Sequence, residues 1–164
     1  MKNIFRITLF IATLAFIFTS CNAPKGAVSA SAVASRGKFT GKWVLGSIKY
    51  DGLIERAVNN VFDQAPPAAF RGSTWEFTNS GNGIYTLNTG VSQTIFWSIN
   101  NTDPNGQILQ FKKIYQGDKP KNVAEGYQLY VASIDAETMT LKSPIALGDK
   151  TAYIIYAFTR KSPL

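Results

Sequence analysis

The sequence lacks histidine altogether and contains a single cysteine among its 164 residues. Without histidine, the Ser-His-Asp and Cys-His arrangements that activate most nucleophilic enzymes are excluded. Metal sites built on histidine or on several thiols are excluded for the same reason. The 10 acidic residues fall mostly in predicted turns, so a matched pair of catalytic carboxylates is not indicated. We therefore expect a protein that is not an enzyme and that uses no cofactor and no metal.

Long hydrophobic runs are also missing after the first 20 residues. Residues 1–20 begin with Lys2 and Arg6, continue through an apolar run at 7–18 and end in small polar residues. This is the three-part pattern of a bacterial export signal. The apolar run is shorter than the roughly 20 residues that span the hydrocarbon core of a bilayer. We therefore predict a signal peptide over residues 1–20 and not a transmembrane helix.

The single cysteine, Cys21, directly follows this predicted signal. The order Phe18-Thr19-Ser20-Cys21 resembles the lipobox of bacterial lipoproteins, in which the cysteine becomes the acylated first residue of the mature chain. The resemblance implies lipid attachment at Cys21 and a membrane anchor made of acyl chains. The next residue is Asn22 and not Asp, and no acidic run follows, which favours the outer membrane with the protein facing the periplasm.

Composition places one folded domain after the anchor. Small residues dominate residues 21–38 without a helical or alternating pattern, so this stretch is predicted to be a lipidated flexible tether. Residues 39–164 are long enough for one domain with a hydrophobic core. Removal of Lys2 and Arg6 would leave 15 basic against 10 acidic residues, a formal charge of +5. Because the basic residues are scattered, they indicate a surface near anionic lipids and no nucleic-acid site.

Within residues 39–164, short runs rich in aromatic and β-branched residues are each bounded by Gly, Asn, Asp or Pro. This pattern is typical of an all-β domain and predicts eight strands. The predicted strands are residues 42–50, 74–79, 83–88, 93–100, 107–115, 126–134, 138–143 and 151–161.

One segment, between the first two predicted strands, has apolar residues at helical spacing instead. These residues are Leu53, Ala57, Val58, Val61 and Phe62. A short amphipathic helix is therefore predicted, and Pro66 and Pro67 should end it because proline lacks an amide hydrogen. In a small barrel, such a helix would cover an open end.

Several motifs are similar to those of lipocalins. Gly41-Lys42-Trp43 matches the Gly-x-Trp signature at the start of the first strand, and Arg160 occupies the place from which lipocalins pack a basic residue across that tryptophan. The whole region looks like the lipocalin-like domain of Bacteroidota lipoproteins. The likeness is carried by residues 60–66, 70–75, 83–88, 110–114 and 156–160. It implies an eight-stranded antiparallel up-and-down β-barrel in which Gly41, Trp43 and Arg160 close one end.

Strand alternation sorts most of the remaining aromatic residues onto the inner face of such a barrel. The candidate ligand-binding residues of the interior are Trp75, Phe77, Trp97, Phe111, Tyr156 and Phe158. An eight-stranded barrel either fills its interior with side chains or holds one small ligand, and three hypotheses stay open. The first is non-covalent binding of a small hydrophobic or amphipathic molecule. The alternative is an accessory subunit of an outer-membrane protein complex with a solidly packed barrel, and a third is a hydrolase inhibitor that acts through a protruding loop.

Overall fold

A computed structural model describes residues 33–161 of the protein. In it, strands of alternating apolar and polar residues form a closed barrel. The strands are β1 (Gly41–Asp51), β2 (Thr74–Phe77), β3 (Asn82–Thr86), β4 (Ser92–Asn100), β5 (Ile108–Lys113), β6 (Tyr127–Ile134), β7 (Thr138–Leu147) and β8 (Lys150–Arg160). Each strand pairs antiparallel with the next, and β8 pairs with β1. The helices are α1 (Arg36–Phe39) and α2 (Pro67–Phe70), with 3-10 turns at Glu55–Ala57 and Pro120–Asn122. The predicted all-β, eight-stranded antiparallel up-and-down barrel is confirmed, and it has the architecture that lipocalins share.

The inner face of the barrel is built from alternate residues of each strand. In β2, Trp75 and Phe77 are buried, whereas Glu76 between them lies on the outer surface. Residues directly opposite each other in antiparallel strands share a face, so Trp97 of β4 and Phe111 of β5 point inward together. The hydrophobic core therefore lies inside the barrel.

A short helix lies between the first two strands, as predicted, but at a different place. It is α2, which begins at Pro67, because the fixed φ and missing amide hydrogen of proline suit the first turn of a helix. The prolines thus begin this helix, whereas helical spacing predicted that they would end an earlier one. The predicted helical stretch contains a 3-10 turn and a tight turn in which Phe62 and Asp63 have φ of 52° and 47°. Positive φ is incompatible with a right-handed helix.

The last part of the predicted tether packs against the barrel. Ala34 is buried, and its backbone exchanges hydrogen bonds of 3.2 and 2.8 Å with the side-chain amide of Gln107. The guanidinium of Arg36 lies 4.1 Å from the ring centroid of Trp97. These contacts and α1 cover the end of the barrel at which β1 begins.

The predicted signal peptide, Cys21 and most of the predicted tether lie outside the described residues. For the helices within residues 33–161, none has the length and apolar character that crossing a bilayer requires.

Candidate functional site

The barrel interior contains all six aromatic residues that strand alternation predicted to face inward, and each is at most 3% exposed. They are Trp75, Phe77, Trp97, Phe111, Tyr156 and Phe158. Their rings pack at close range, with centroids 5.6 Å apart between Trp75 and Phe111 and 5.2 Å apart between Phe77 and Trp97. Side chains therefore fill this part of the interior, and contact of these residues with a ligand stays a prediction.

A further ring, that of Phe62, enters the interior from the loop between β1 and β2. Its centroid lies 5.0 to 5.8 Å from those of five other rings. These belong to Phe70, Trp75, Phe111, Tyr127 and Tyr156. The ring is stacked on Tyr156 and edge-on to the other four, which are the arrangements that aromatic quadrupoles favour. Phe62 therefore contacts the rings of α2 and of four strands at the end of the barrel where β1 ends, although Phe62 itself lies in a loop.

Phe62 is held by a tight turn at the tip of its loop. The amide of Gln64 donates to the carbonyl of Val61 (3.2 Å), and the amide of Val61 donates to the carbonyl of Ala65 (2.8 Å). Both central residues, Phe62 and Asp63, have positive φ, as in a type I′ turn. Such positions favour Asn and Gly, and a bulky residue there costs on the order of 1–3 kcal/mol. The packing of the Phe62 ring must offset this cost.

Polar side chains on the neighbouring strands bind the backbone and side chains of the turn. The Lys113 ammonium donates to the carbonyl of Phe62 (3.0 Å), and the Tyr127 hydroxyl donates to the Asp63 carboxylate (3.2 Å). The Tyr85 hydroxyl donates to the side-chain carbonyl of Gln64, and burial raises the pKa of Tyr85 well above its ordinary 10.0. Polar contacts from β3, β5 and β6 therefore hold the turn in addition to the packing of the Phe62 ring.

Two further tyrosine hydroxyls lie inside the barrel. The Tyr156 hydroxyl lies 3.5 Å from the hydroxyl of Ser143, and burial raises the pKa of Tyr156 well above 10.0. Tyr50 lies in β1 opposite Ile154, and its hydroxyl is buried without a hydrogen-bond partner among residues 33–161. An unsatisfied buried hydroxyl costs roughly 1–3 kcal/mol, which a polar partner such as a water or a ligand atom would recover.

The opposite end of the barrel is closed by the residues of the Gly-x-Trp motif and the last strand. The guanidinium of Arg160 lies 4.2 Å from the ring centroid of Trp43, which is fully buried. The same guanidinium donates to the carbonyls of Thr40 and Lys38, both at 2.8 Å. A Cβ at Gly41 would lie 2.6 Å from a guanidinium nitrogen, and the φ of this residue is +116°. The first position of the motif must therefore be glycine for Arg160 to reach the tryptophan.

A second candidate site lies on the outer surface, between the barrel wall and the β5–β6 loop. This outer groove has a volume of about 730 Å³. Its lining includes Phe96, Ser98, Gln110, Lys112, Lys119 and Lys121. Strand pairing places Phe96 opposite Lys112 and Ser98 opposite Gln110, with all four side chains directed away from the core. The groove was not predicted from the sequence, although its lining also includes Phe111, which was predicted as a residue of the barrel interior.

Acidic side chains form no metal-binding cluster in the part of the chain that the structure describes. Within residues 33–161, no three His, Cys, Asp or Glu side chains are arranged to hold a metal ion. The carboxylate of Asp135 accepts hydrogen bonds from the side chain and backbone of Thr138, which lower its pKa. Its role is to cap the β6–β7 turn.

No protein-family model matches the chain, and no curated protein sequence matches it. Among solved structures, the chain is similar to lobster apocrustacyanin A1, a lipocalin, with 12% sequence identity and a TM-score of 0.40. The match covers 79% of this chain and 64% of that protein, so the chain spans less than two thirds of its length. The assignment of the barrel therefore depends on the strand pairing described above.

Proposed function

We propose that the protein binds a small hydrophobic or amphipathic molecule non-covalently inside the barrel, at the position that the Phe62 ring occupies. The observation that carries this proposal is that the Phe62 ring comes from a loop and not from a strand. Most of the other interior side chains come from strands, and these cannot leave without opening the sheet. Phe62 can leave by movement of a single turn.

The energetics of the turn support the same proposal. Phe62 and Asp63 both have positive φ, and withdrawal of the ring would allow the turn to release this backbone strain. Withdrawal would expose a binding surface made of the rings of Trp75, Phe111 and Tyr156. An apolar ligand that replaced the ring would restore those contacts.

The buried hydroxyls favour a ligand with one polar atom. Tyr50 and Tyr156 both place hydroxyls in a mainly apolar interior, and that of Tyr50 has no partner within residues 33–161. Ligand sites of this kind combine a mainly apolar lining with a few polar groups that fix orientation. A long-chain alcohol, a fatty acid in its neutral form or an aromatic amide would fit this description.

Titration of the purified protein with the neutral dye N-phenyl-1-naphthylamine tests the proposal. We expect saturable binding with a change in tryptophan emission, because Trp75 lies 5.8 Å from the ring that the dye replaces. Fatty acids and long-chain alcohols should displace the dye, and extraction of natively purified protein should yield a stoichiometric small molecule by mass spectrometry. No dye binding and no extracted compound would contradict ligand binding.

The packed interior also favours a second candidate, an accessory subunit of an outer-membrane protein complex. The six inward rings are almost fully buried and five of them are linked by ring contacts, so the barrel can be stable without a ligand. In that case, the outer surface would carry the function. A negative result in the titration, together with co-purification of a membrane protein after crosslinking, would favour this candidate.

We further propose that the protein is a lipoprotein of the outer membrane that faces the periplasm. The support is the sequence alone, namely the export-signal pattern of residues 1–20 and the lipobox-like order that ends at Cys21. Two or three acyl chains hold a protein firmly, since each buried methylene contributes about 0.8 kcal/mol. Mass spectrometry of the N-terminal peptide from membrane-extracted protein should show a chain that begins at Cys21 with a covalent lipid. An unmodified Cys21 would contradict the proposal.

A further inference from the structure

We propose that the outer groove is a second binding site, and that it takes a small amphipathic anion, a molecule with a flat apolar body and one carboxylate, sulfonate or phosphate. This site is separate from the barrel interior and does not depend on ligand binding there. The argument rests on the shape of the groove, on its floor and on its charges.

The groove exists because the β5–β6 loop, residues 114–126, folds back over the outer face of the barrel. Lys112 holds it there, since its ammonium donates to the carbonyls of Val123 (2.6 Å) and Pro120 (3.3 Å). The resulting volume of about 730 Å³ lies within the range of small-molecule sites, roughly 300–1,000 Å³. The loop is therefore a fixed wall of the groove.

The floor combines one large apolar side chain with amides and a hydroxyl. Phe96 is a half-buried aromatic residue on the outer face of β4, where a solvated barrel would ordinarily present a polar residue. Ser98 and Gln110 lie beside it in the next row of the sheet, and Gln128 follows on β6. An apolar ligand body can cover Phe96 while its polar edge meets these groups.

All the charged side chains that line the groove are positive. Three lysines line the groove, and no acidic residue is among the lining residues. In the part of the chain that the structure describes, the ion pairs are Lys42 with Glu76 and Arg71 with Glu55, so no carboxylate lies within 4 Å of the groove lysines. Those on the loop, Lys119 and Lys121, are exposed and free to close on an anion at the mouth. An uncharged ligand would use the floor but not these ammonium groups.

Two dyes that share one ring system test the charge requirement. They are 8-anilinonaphthalene-1-sulfonate, which is an anion, and N-phenyl-1-naphthylamine, which lacks the sulfonate. In the variant Lys119→Gln/Lys121→Gln, we expect the affinity for the anionic dye to fall about fivefold, the effect of losing two exposed charge contacts. The affinity for the neutral dye should stay unchanged. A higher salt concentration should weaken the binding of the anionic dye only, because salt screens exposed charges.

The matched control is Lys49→Gln/Lys150→Gln, which removes the same charge from exposed positions outside the groove. This variant should bind both dyes as the natural protein does. The bound anion should also protect Lys119 and Lys121, but not Lys49 and Lys150, from acetylation measured residue by residue by mass spectrometry. All four substitutions are on exposed side chains, so folding should be unaffected.

Three results would overturn the proposal: no binding of the anionic dye, an equal loss in the two double variants, or no protection of Lys119 and Lys121. The interior site has its own readout, because a change at Phe62 should alter the affinity for the neutral dye. Failure of the groove and failure of the interior site are therefore distinguishable.

Discussion

Replacing Trp43 with alanine should lower the free energy of unfolding by about 3–5 kcal/mol, the range measured for buried Trp and Phe truncations. The indole is fully buried, and its Nε1–H donates to the carbonyl of Phe39 at 2.8 Å. Truncation would leave a cavity, an unsatisfied carbonyl and an Arg160 guanidinium without its aromatic partner. Urea denaturation followed by circular dichroism measures the loss.

Two conservative variants separate the contributions at this end of the barrel. Trp43→Phe keeps an aromatic face but loses the indole hydrogen bond, which should cost about 0.5–1.5 kcal/mol beyond the lost volume. Arg160→Lys keeps the charge but cannot donate simultaneously to the carbonyls of Thr40 and Lys38, because an ammonium lacks the planar fork of guanidinium. It should be destabilising by a smaller amount than Trp43→Ala. A loss under 1 kcal/mol for Trp43→Ala would contradict a closing role.

The barrel could be predicted from the sequence because its determinants are local. Alternation within each strand decides which residues face inward, and Gly, Asn and Asp mark where strands end. Glu76 illustrates this, since its place between Trp75 and Phe77 was enough to put it on the outer surface. The contact of Arg160 with Trp43 was instead implied by the resemblance of the Gly-x-Trp motif to that of lipocalins.

The role of Phe62 could not be predicted, because local spacing gave the opposite answer. Val58, Val61 and Phe62 fit one face of a helix, and only the tertiary structure makes a positive φ at Phe62 favourable. The ring gains contacts with residues of β2, β5, β6 and β8, which lie far away in sequence. Packing of this kind offsets backbone strain without leaving a pattern in the local sequence.

The outer groove was missed for a related reason. Alternation does place Phe96 on the outer face of β4, and an outward aromatic residue was the one available signal. The wall of the groove, however, depends on hydrogen bonds from Lys112 to carbonyls 8 and 11 residues further along the chain. Carbonyl groups are present at every residue, so the sequence does not reveal which of them Lys112 contacts.

Phe62→Ala should have opposite effects on stability and on ligand affinity. The free energy of unfolding should fall by about 3–5 kcal/mol, since the ring is buried among five others. The affinity for N-phenyl-1-naphthylamine should rise at least about tenfold, because the natural protein must first populate a state with the ring withdrawn. Dye at a concentration of 100 times its dissociation constant should restore about 2.7 kcal/mol of the lost stability.

Met139→Ala is the matched control for this prediction. Met139 is fully buried and lies opposite Phe158, towards the end of the barrel that Arg160 closes. Its truncation should cost about 2–5 kcal/mol, similar to Phe62→Ala. It should leave dye affinity unchanged, because Met139 lies in a strand and towards the end of the barrel opposite the Phe62 turn. If Phe62→Ala and the natural protein bind the dye equally well, the ligand does not use the position of the Phe62 ring. If Met139→Ala raises the affinity as much as Phe62→Ala does, a general loosening of the barrel, and not removal of a displaceable ring, explains the gain.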